Sequence, residues 1–342
     1  QPDPPGAQPV RPLPVFRWIV VAVLVVGLSA AAIFVPIPVV FLYLPGPVRD
    51  VEQLVKASEA KTYSSEGTLL MTTVSVDTRV TFVELVIAWV TPAQQVVMRD
   101  QVTGGQSLKE LREQQAAQMR DSQNSAKQVA LSELGFDRPT GKGALVLATV
   151  KDSPAAEELL QDDVIVAVDG QRVATTCDVG ALIEAHEIGE SIAITYRRDG
   201  RLRTFETKLT QIAPNDPRPF LGVHMRTIDF SFEPGVDVEF ETGRIAGPSA
   251  GLMLALALYD QLTPDDLTGG HQIAGTGTLE CDGEVGAIGG IQQKVAGASA
   301  EGAEVFLAPV GNVDEARAVA DGIEIVSIAT FGDALEYLNG LD

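Results

Sequence analysis

The chain has 342 residues, 45% of them hydrophobic, and a formal net charge of −21. That length exceeds one typical domain and accommodates two with extensions. The acidic balance excludes nucleic acid as a partner, because binding phosphates needs a basic footprint. Two cysteines, Cys177 and Cys281, are too few for a disulfide framework and read as two buried thiols rather than a bridge. No metal and no cofactor is expected.

Residues 1–17 hold six prolines together with Arg11 and Arg17, which predicts a disordered cytoplasmic tail. Residues 18–48 carry no charge, a run longer than the ~20 apolar residues that cross a bilayer core. A transmembrane helix is therefore expected over 18–44, with Pro36 and Pro38 kinking or ending it near the outer face. Arginines lie before the run, so the positive-inside bias sets the N-terminus in the cytoplasm and the bulk of the chain outside. The rival reading is a cleaved signal peptide, with Ala30 and Ala32 at the cleavage site; the apolar run continues well past Ala32, which suits an anchor better.

Further along, "TLLMTTVSV" (68–76) is rich in β-branched residues and reads as a strand. Residues 80–90 read as strand or helix. Residues 106–134 read as a long exposed helix with a thin apolar line through Leu108, Leu111, Met119 and Ala126, which Gln115 interrupts. Such a helix either lies on its own domain or makes a subunit contact. Residues 50–135 thus form the N-terminal part of one domain, and 136–212 a separate module of many short strands, a small β-barrel. Residues 214–219 ("PNDPRP") read as a linker. Over 213–342 strands and helices alternate, as in an α/β layered domain.

The chemistry concentrates at "IAGPSAGLMLALAL" (245–258), where Ser249 sits among small residues ahead of a wholly apolar helix. A serine needs a base within hydrogen-bond reach to act as a nucleophile; otherwise it is a helix cap. His186, His224 and His271 have no motif around them, so a Ser-His-Asp triad lacks support. Lys294 lies in "AIGGIQQKVAGASA" (287–300), in phase with the apolar face of Ile291, Val295 and Ala298. Burial there favours the neutral amine, which accepts a proton; the alternative is a lysine snorkelling to water. Small residues at Ser249 let a substrate backbone approach, and the first N–H groups of the helix face a developing oxyanion.

Two resemblances follow from these stretches. "KGALVLATVKDSPAAEELLQDDVIVAVDGQRV" (142–173) resembles a PDZ domain of the bacterial protease type. That resemblance implies peptide C-terminus binding at Gly143, Ala144 and Leu145, although Asp162-Asp163 stands where the family has Gly-Asp. "GPSAG" (247–251), "TGT" (276–278) and "GAIGGIQQK" (286–294) resemble the proteolytic domain of Lon. The whole chain is similar to membrane-anchored, PDZ-containing Lon-like proteases. The resemblance implies an α/β (α+β) Lon-type proteolytic domain with an inserted PDZ-like module, in which Ser249 is the nucleophile, Lys294 the general base and Thr276 the partner of that lysine. It implies protein or peptide substrates and a homo-hexameric ring. Ala246 and Thr278 depart from that family's usual residues. "GFDRPTGKG" (135–143) has the wrong spacing for a phosphate loop, so the expected activity is an ATP-independent serine endopeptidase on unfolded or flexible chains. The alternatives are a catalytically silent PDZ adaptor on the same scaffold and a signal-peptidase-like Ser-Lys enzyme. The latter fits the GPSAG setting poorly.

Overall fold

The apolar run that starts at Trp18 ends in a strand, Val40–Pro45, in the computed structural model. The structure describes residues 18–21, 27, 34–58, 60–136, 139–211, 217–231, 236–243 and 245–341. The tail over 1–17, residues 22–26 and 28–33 of the expected anchor and part of the linker at 214–219 therefore lie outside the described residues. Among the described residues no helix is long and apolar enough to cross a membrane. The expected helix over 18–44 is corrected at its C-terminal end: Pro36 and Pro38 interrupt it, and Val40–Pro45 finds strand partners on both edges.

Before the inserted module the elements are β1 (Val40–Pro45), β2 (Arg49–Asp50), β3 (Val55–Ser58), β4 (Thr68–Met71), β5 (Val74–Asp77), α1 (Phe82–Val90), β6 (Gln95–Met98), α2 (Arg99–Thr103) and α3 (Leu108–Glu133). The module holds β7 (Ala144–Thr149), β8 (Val164–Val168), β9 (Gln171–Arg172), α4 (Thr176–Glu184), β10 (Ser191–Arg198), β11 (Arg201–Lys208), β12 (Thr210–Gln211), β13 (Pro219–Phe220) and β14 (Val223–Thr227). After it come β15 (Asp237–Phe240), α5 (Gly251–Leu262), β16 (Gln272–Gly275), β17 (Thr278–Leu279), β18 (Val285–Gly286), α6 (Ile291–Glu301), β19 (Val305–Pro309), α7 (Val313–Arg317), β20 (Glu324–Ile328) and α8 (Phe331–Leu338).

The flanking segments build one domain around a sheet of order β2-β4-β16-β19-β20, parallel except for β2. Its strands are apolar on both faces because both are covered. Leu69, Met71, Ile273 and Leu307 point to the side of α3, α5 and α8; Leu70, Ala274, Phe306 and Ala308 point to α6 and α7. The stretch 68–76 is thus two strands, broken at Thr72 and Thr73: β4 joins this sheet and β5 joins a smaller one of order β5-β1-β6. Pairing of β3 with β15, across the whole module, closes the domain where the insertion leaves it.

Helix α3 begins with a capping box between Ser107 and Glu110. The second half of its apolar line is covered within the chain: Met119 and Ala126 are buried in the same cluster as α5, whereas Leu108 and Leu111 are half-buried. The helix thus lies on its own domain through Met119 and Ala126.

The module's sheet runs β11-β10-β8-β7-β14, with β9 beside β8, and encloses a separate core that includes Val146, Ile165, Ile194 and Tyr196. Because β14 pairs with β7 and Thr140 bridges Ser231, the module extends past the expected boundary at 212 to residue 231. Strand propensity does not say which sheet a strand joins, and that misplaced the boundary. Asp162 occupies φ 72°, the conformation a glycine adopts easily, while Asp163 is buried and receives two hydrogen bonds of 2.7 Å from Arg198.

Cys177 in α4 and Cys281 in the turn after β17 are joined by a disulfide, Cα–Cα 5.5 Å. The expectation of two thiols is corrected: one cysteine comes from each domain, and the interdomain contact brings them together.

Candidate active site

Ser249 lies in the turn that leads into α5. Its loop is held from both sides. Gly247 N–H donates to the Gln115 carbonyl at 3.0 Å, and Ser122 Oγ donates to the Pro248 carbonyl at 2.9 Å, so α3 grips one flank. On the other flank Gly277 N–H donates to the Ser249 carbonyl at 3.0 Å. Gly251 permits this closeness: a Cβ there would lie 2.9 Å from both Leu279 Cβ and Ser122 Oγ. The cap of α5 is Ala250, without a side-chain hydrogen bond, so Ser249 is not spent as a helix cap. The Ser249 side chain is half-buried and borders solvent.

Lys294 is in the first turn of α6. Gly290, in the left-handed region at φ 72°, turns the chain into that helix, and Lys294 N–H donates to its carbonyl. Lys294 is 3% exposed and Thr276, at the end of β16, is 1% exposed. Lys294 Nζ lies 2.7 Å from Ser249 Oγ and 2.7 Å from Thr276 Oγ1. Thr276 Oγ1 in turn donates to the Ser249 carbonyl at 2.9 Å. With that proton committed, the threonine oxygen accepts an N–H of Lys294, and this leaves the lysine lone pair for the serine hydroxyl. Burial pulls the Lys294 ammonium down from 10.5 to about 7. The positive end of the α6 dipole acts in the same direction. A neutral amine is therefore accessible near neutral pH.

Ser249 and Lys294 line a cleft of about 820 Å³, with Thr276 buried behind them. One wall is β5, an edge strand of its sheet, through Val74 and Val76; the other includes Glu241, Thr242, Gly243, Ile245 and Gln115. Ala246 borders the cleft, and Thr278 lies in β17. The role of α3 is what sequence reading missed. Gln115, the residue that breaks the apolar line, lines the cleft, and Ser122 clamps the serine loop; neither contact has a local signature.

The remaining candidates lie elsewhere. His186 Nε2 lies 2.9 Å from Asp169, His271 Nδ1 lies 2.9 Å from Glu304, and His224 is exposed on β14. Gly143, Ala144 and Leu145 do not form a free peptide-binding edge. Gly143 N–H already donates to the Ala174 carbonyl, and Ala144 and Leu145 pair with β8 on one side and β14 on the other. The assignment of C-terminus binding to these three is corrected: β7 is an interior strand whose groups are taken. The free edge on this side of the sheet is β14, which lines a cavity of about 670 Å³ with α4 and α3.

Comparison with known proteins also finds two domains, with bounds that differ from the structural ones: the first match begins before β6 and ends before β14. The family model described as PDZ domain matches residues 93–209. The one described as Lon protease (S16) C-terminal proteolytic domain matches residues 233–338. Lon protease of Mesomycoplasma hyopneumoniae is 31% identical over 118 residues, 32% of this chain and 13% of that protein. Lon protease 2 of Bacillus subtilis is 25% identical over 179 residues, 52% of this chain and 30% of that protein. The chain thus spans less than a third of the length of either relative. A crystal structure of the PDZ domain of an SdrC-like protein from Listeria monocytogenes is 26% identical, covering 25% of this chain and 90% of that one, with a TM-score of 0.24. The chain therefore carries a PDZ domain and a Lon C-terminal proteolytic domain.

Proposed function

We propose that this protein is a serine endopeptidase that works with a Ser249–Lys294 dyad. The observation that carries the reading is the 2.7 Å contact between Lys294 Nζ and Ser249 Oγ, made by a lysine whose other hydrogen-bond partner is a hydroxyl and not a carboxylate. The neutral amine takes the Ser249 proton as Oγ attacks the peptide carbonyl. The oxyanion is left to N–H groups of the serine turn other than those of Gly251 and Leu252, which already donate to the Pro248 and Gly277 carbonyls. The Lys294 ammonium then protonates the leaving amine, and the C–N bond breaks. Water attacks the resulting ester, giving its proton to Lys294. Ser249 Oγ leaves with that proton, the carboxylic product departs and the resting state returns. Thr276 holds the amine in orientation throughout.

The substrate is an extended stretch of unfolded or flexible protein, since the cleft offers an edge strand along one wall. No step of this reaction uses ATP, and "GFDRPTGKG" (135–143) has the wrong spacing for a phosphate loop. The charge-free run over 18–39 tethers the protein to the cell membrane, with the catalytic domain on the outer, oxidising side, where a disulfide such as Cys177–Cys281 persists. Assembly into a hexameric ring is carried over from the family resemblance alone.

A fluorophosphonate probe tests the chemistry. It should label Ser249 in the wild type and leave Ser249→Ala unlabelled, and casein cleavage should vanish in Ser249→Ala and in Lys294→Ala. Casein cleavage by purified Ser249→Ala at the wild-type rate would overturn the assignment. A wild type that neither labels nor cleaves leaves the PDZ adaptor as the function.

A further inference from the structure

Helix α1 is the most apolar exposed surface of the described chain. Phe82, Val83, Val86, Ile87, Trp89 and Val90 are all exposed, Val90 at 74% and Trp89 at 89%. At 100° per residue these six fall in one arc of about 160°. Ala88 and Leu85 take the opposite side and join the small core under β1. The helix has one charged residue, Glu84, and its carboxylate is turned back into the capping box, 2.7 Å from both Thr81 N and Thr81 Oγ1. The exposed arc is therefore without charge.

Position decides what covers this arc. The charge-free run reaches the domain beside α1. Ile37 N–H donates to the Val80 carbonyl at 2.8 Å, just before the Thr81 cap, and Arg99 N–H, just after β6, donates to the Val39 carbonyl at 3.0 Å. Phe34, Val35 and Val39, the last residues of the run before β1, are themselves exposed. A tether that leaves the bilayer at this point brings α1 to the headgroup level. A short helix with an apolar outer arc and a tryptophan near its end is the kind of segment that lies in that interface.

We propose that α1 is a membrane-docking helix that rests its apolar arc on the lipid surface next to the tether and so fixes the orientation of the catalytic domain on the bilayer. This rests on reading residues 18–39 as the tether.

The chain has two tryptophans, Trp18 in the run and Trp89 on α1, so each can be read alone. The full chain as Trp18→Phe, reconstituted into vesicles of phosphatidylcholine and phosphatidylglycerol, reports on Trp89; Trp89→Phe reports on Trp18. Phosphatidylcholine brominated at shallow acyl positions should quench most of the Trp89 emission, and deep bromination should quench it less. Adding Val86→Asp and Val90→Asp, both at exposed positions, should abolish the Trp89 quenching and leave Trp18 quenched. If Trp18 is quenched and Trp89 is not, the tether stands and the docking helix is wrong. A Trp89 emission that responds to protein concentration and not to bromine makes a second copy the occupant and overturns the proposal. Quenching of neither residue removes the tether and the docking helix together.

Discussion

The Thr276 hydroxyl donates to the Ser249 carbonyl at 2.9 Å while its oxygen stands 2.7 Å from Lys294 Nζ. One side chain thus braces the serine loop and orients the amine. Thr276→Val keeps the shape and loses both bonds. Each bond left unmade at a buried site costs about 1–3 kcal/mol, so kcat for a peptide substrate should fall by about 10–100-fold. Thr276→Ser should restore most of it. Equal rates for the valine and serine variants would show that the hydroxyl does no positioning.

Activity should rise with pH through about 7, as burial-depressed Lys294 loses its proton. Lys294→Arg should be inactive at every pH, because a guanidinium stays protonated. Stability carries the same signature. The folded state holds fewer protons than the unfolded chain between about 7 and 10.5, so this residue's contribution improves as pH rises across that window. Lys294→Met should raise Tm most below pH 7 and progressively less toward pH 10. A pH-independent difference in Tm would contradict the depressed lysine.

A buried acidic pair at the far end of α5 acts with the opposite sign. Glu52 is pushed from 4.5 to about 7 by burial and by nearby Asp260 and Asp50, and Asp260 is raised by its own burial. Ser65 hydrogen-bonds Asp260, while Glu52 Oε1 has no partner. Folding favours protonated Glu52, so its contribution is intact below about 4.5 and is lost as pH rises toward 7. Glu52→Gln should raise Tm at pH 8 and leave it nearly unchanged at pH 4, which thermal unfolding at the two pH values will read.

The Cys177–Cys281 bridge ties α4 to an acidic face of the proteolytic domain. Burial raises Glu280 and Glu184, and Asp282 raises both further. Ionised together, these groups repel across the contact. Closing a loop of about 100 residues is worth up to about 4–5 kcal/mol in the chain-entropy account. Cys177→Ser should lower Tm, and hydrogen exchange in α4 should accelerate more at pH 8 than at pH 5. Unchanged exchange on reduction would show that packing alone holds the two domains together.

Much of the domain plan was legible because it is written in local patterns. The short strands of the module, the apolar length of α5 and the mostly polar length of α3 are properties of short windows, and short windows carry periodicity and turn chemistry. Ser249 and Lys294 stood out for the same reason, one by its small neighbours and the other by its phase on an apolar helix face. What the windows lack is pairing across distance. Only the tertiary structure sent Val40–Pro45 into a sheet, since a charge-free run reads the same as helix or strand until partners satisfy its backbone. It alone assigned β14 to the module, which freed that strand's edge and used up β7. It alone joined Cys177 to Cys281 and brought Gln115 and Ser122 to the serine loop. The 2.7 Å between Lys294 and Ser249 belongs to this second kind, because it depends on β16 carrying Thr276 between two helices packed on opposite faces of one sheet.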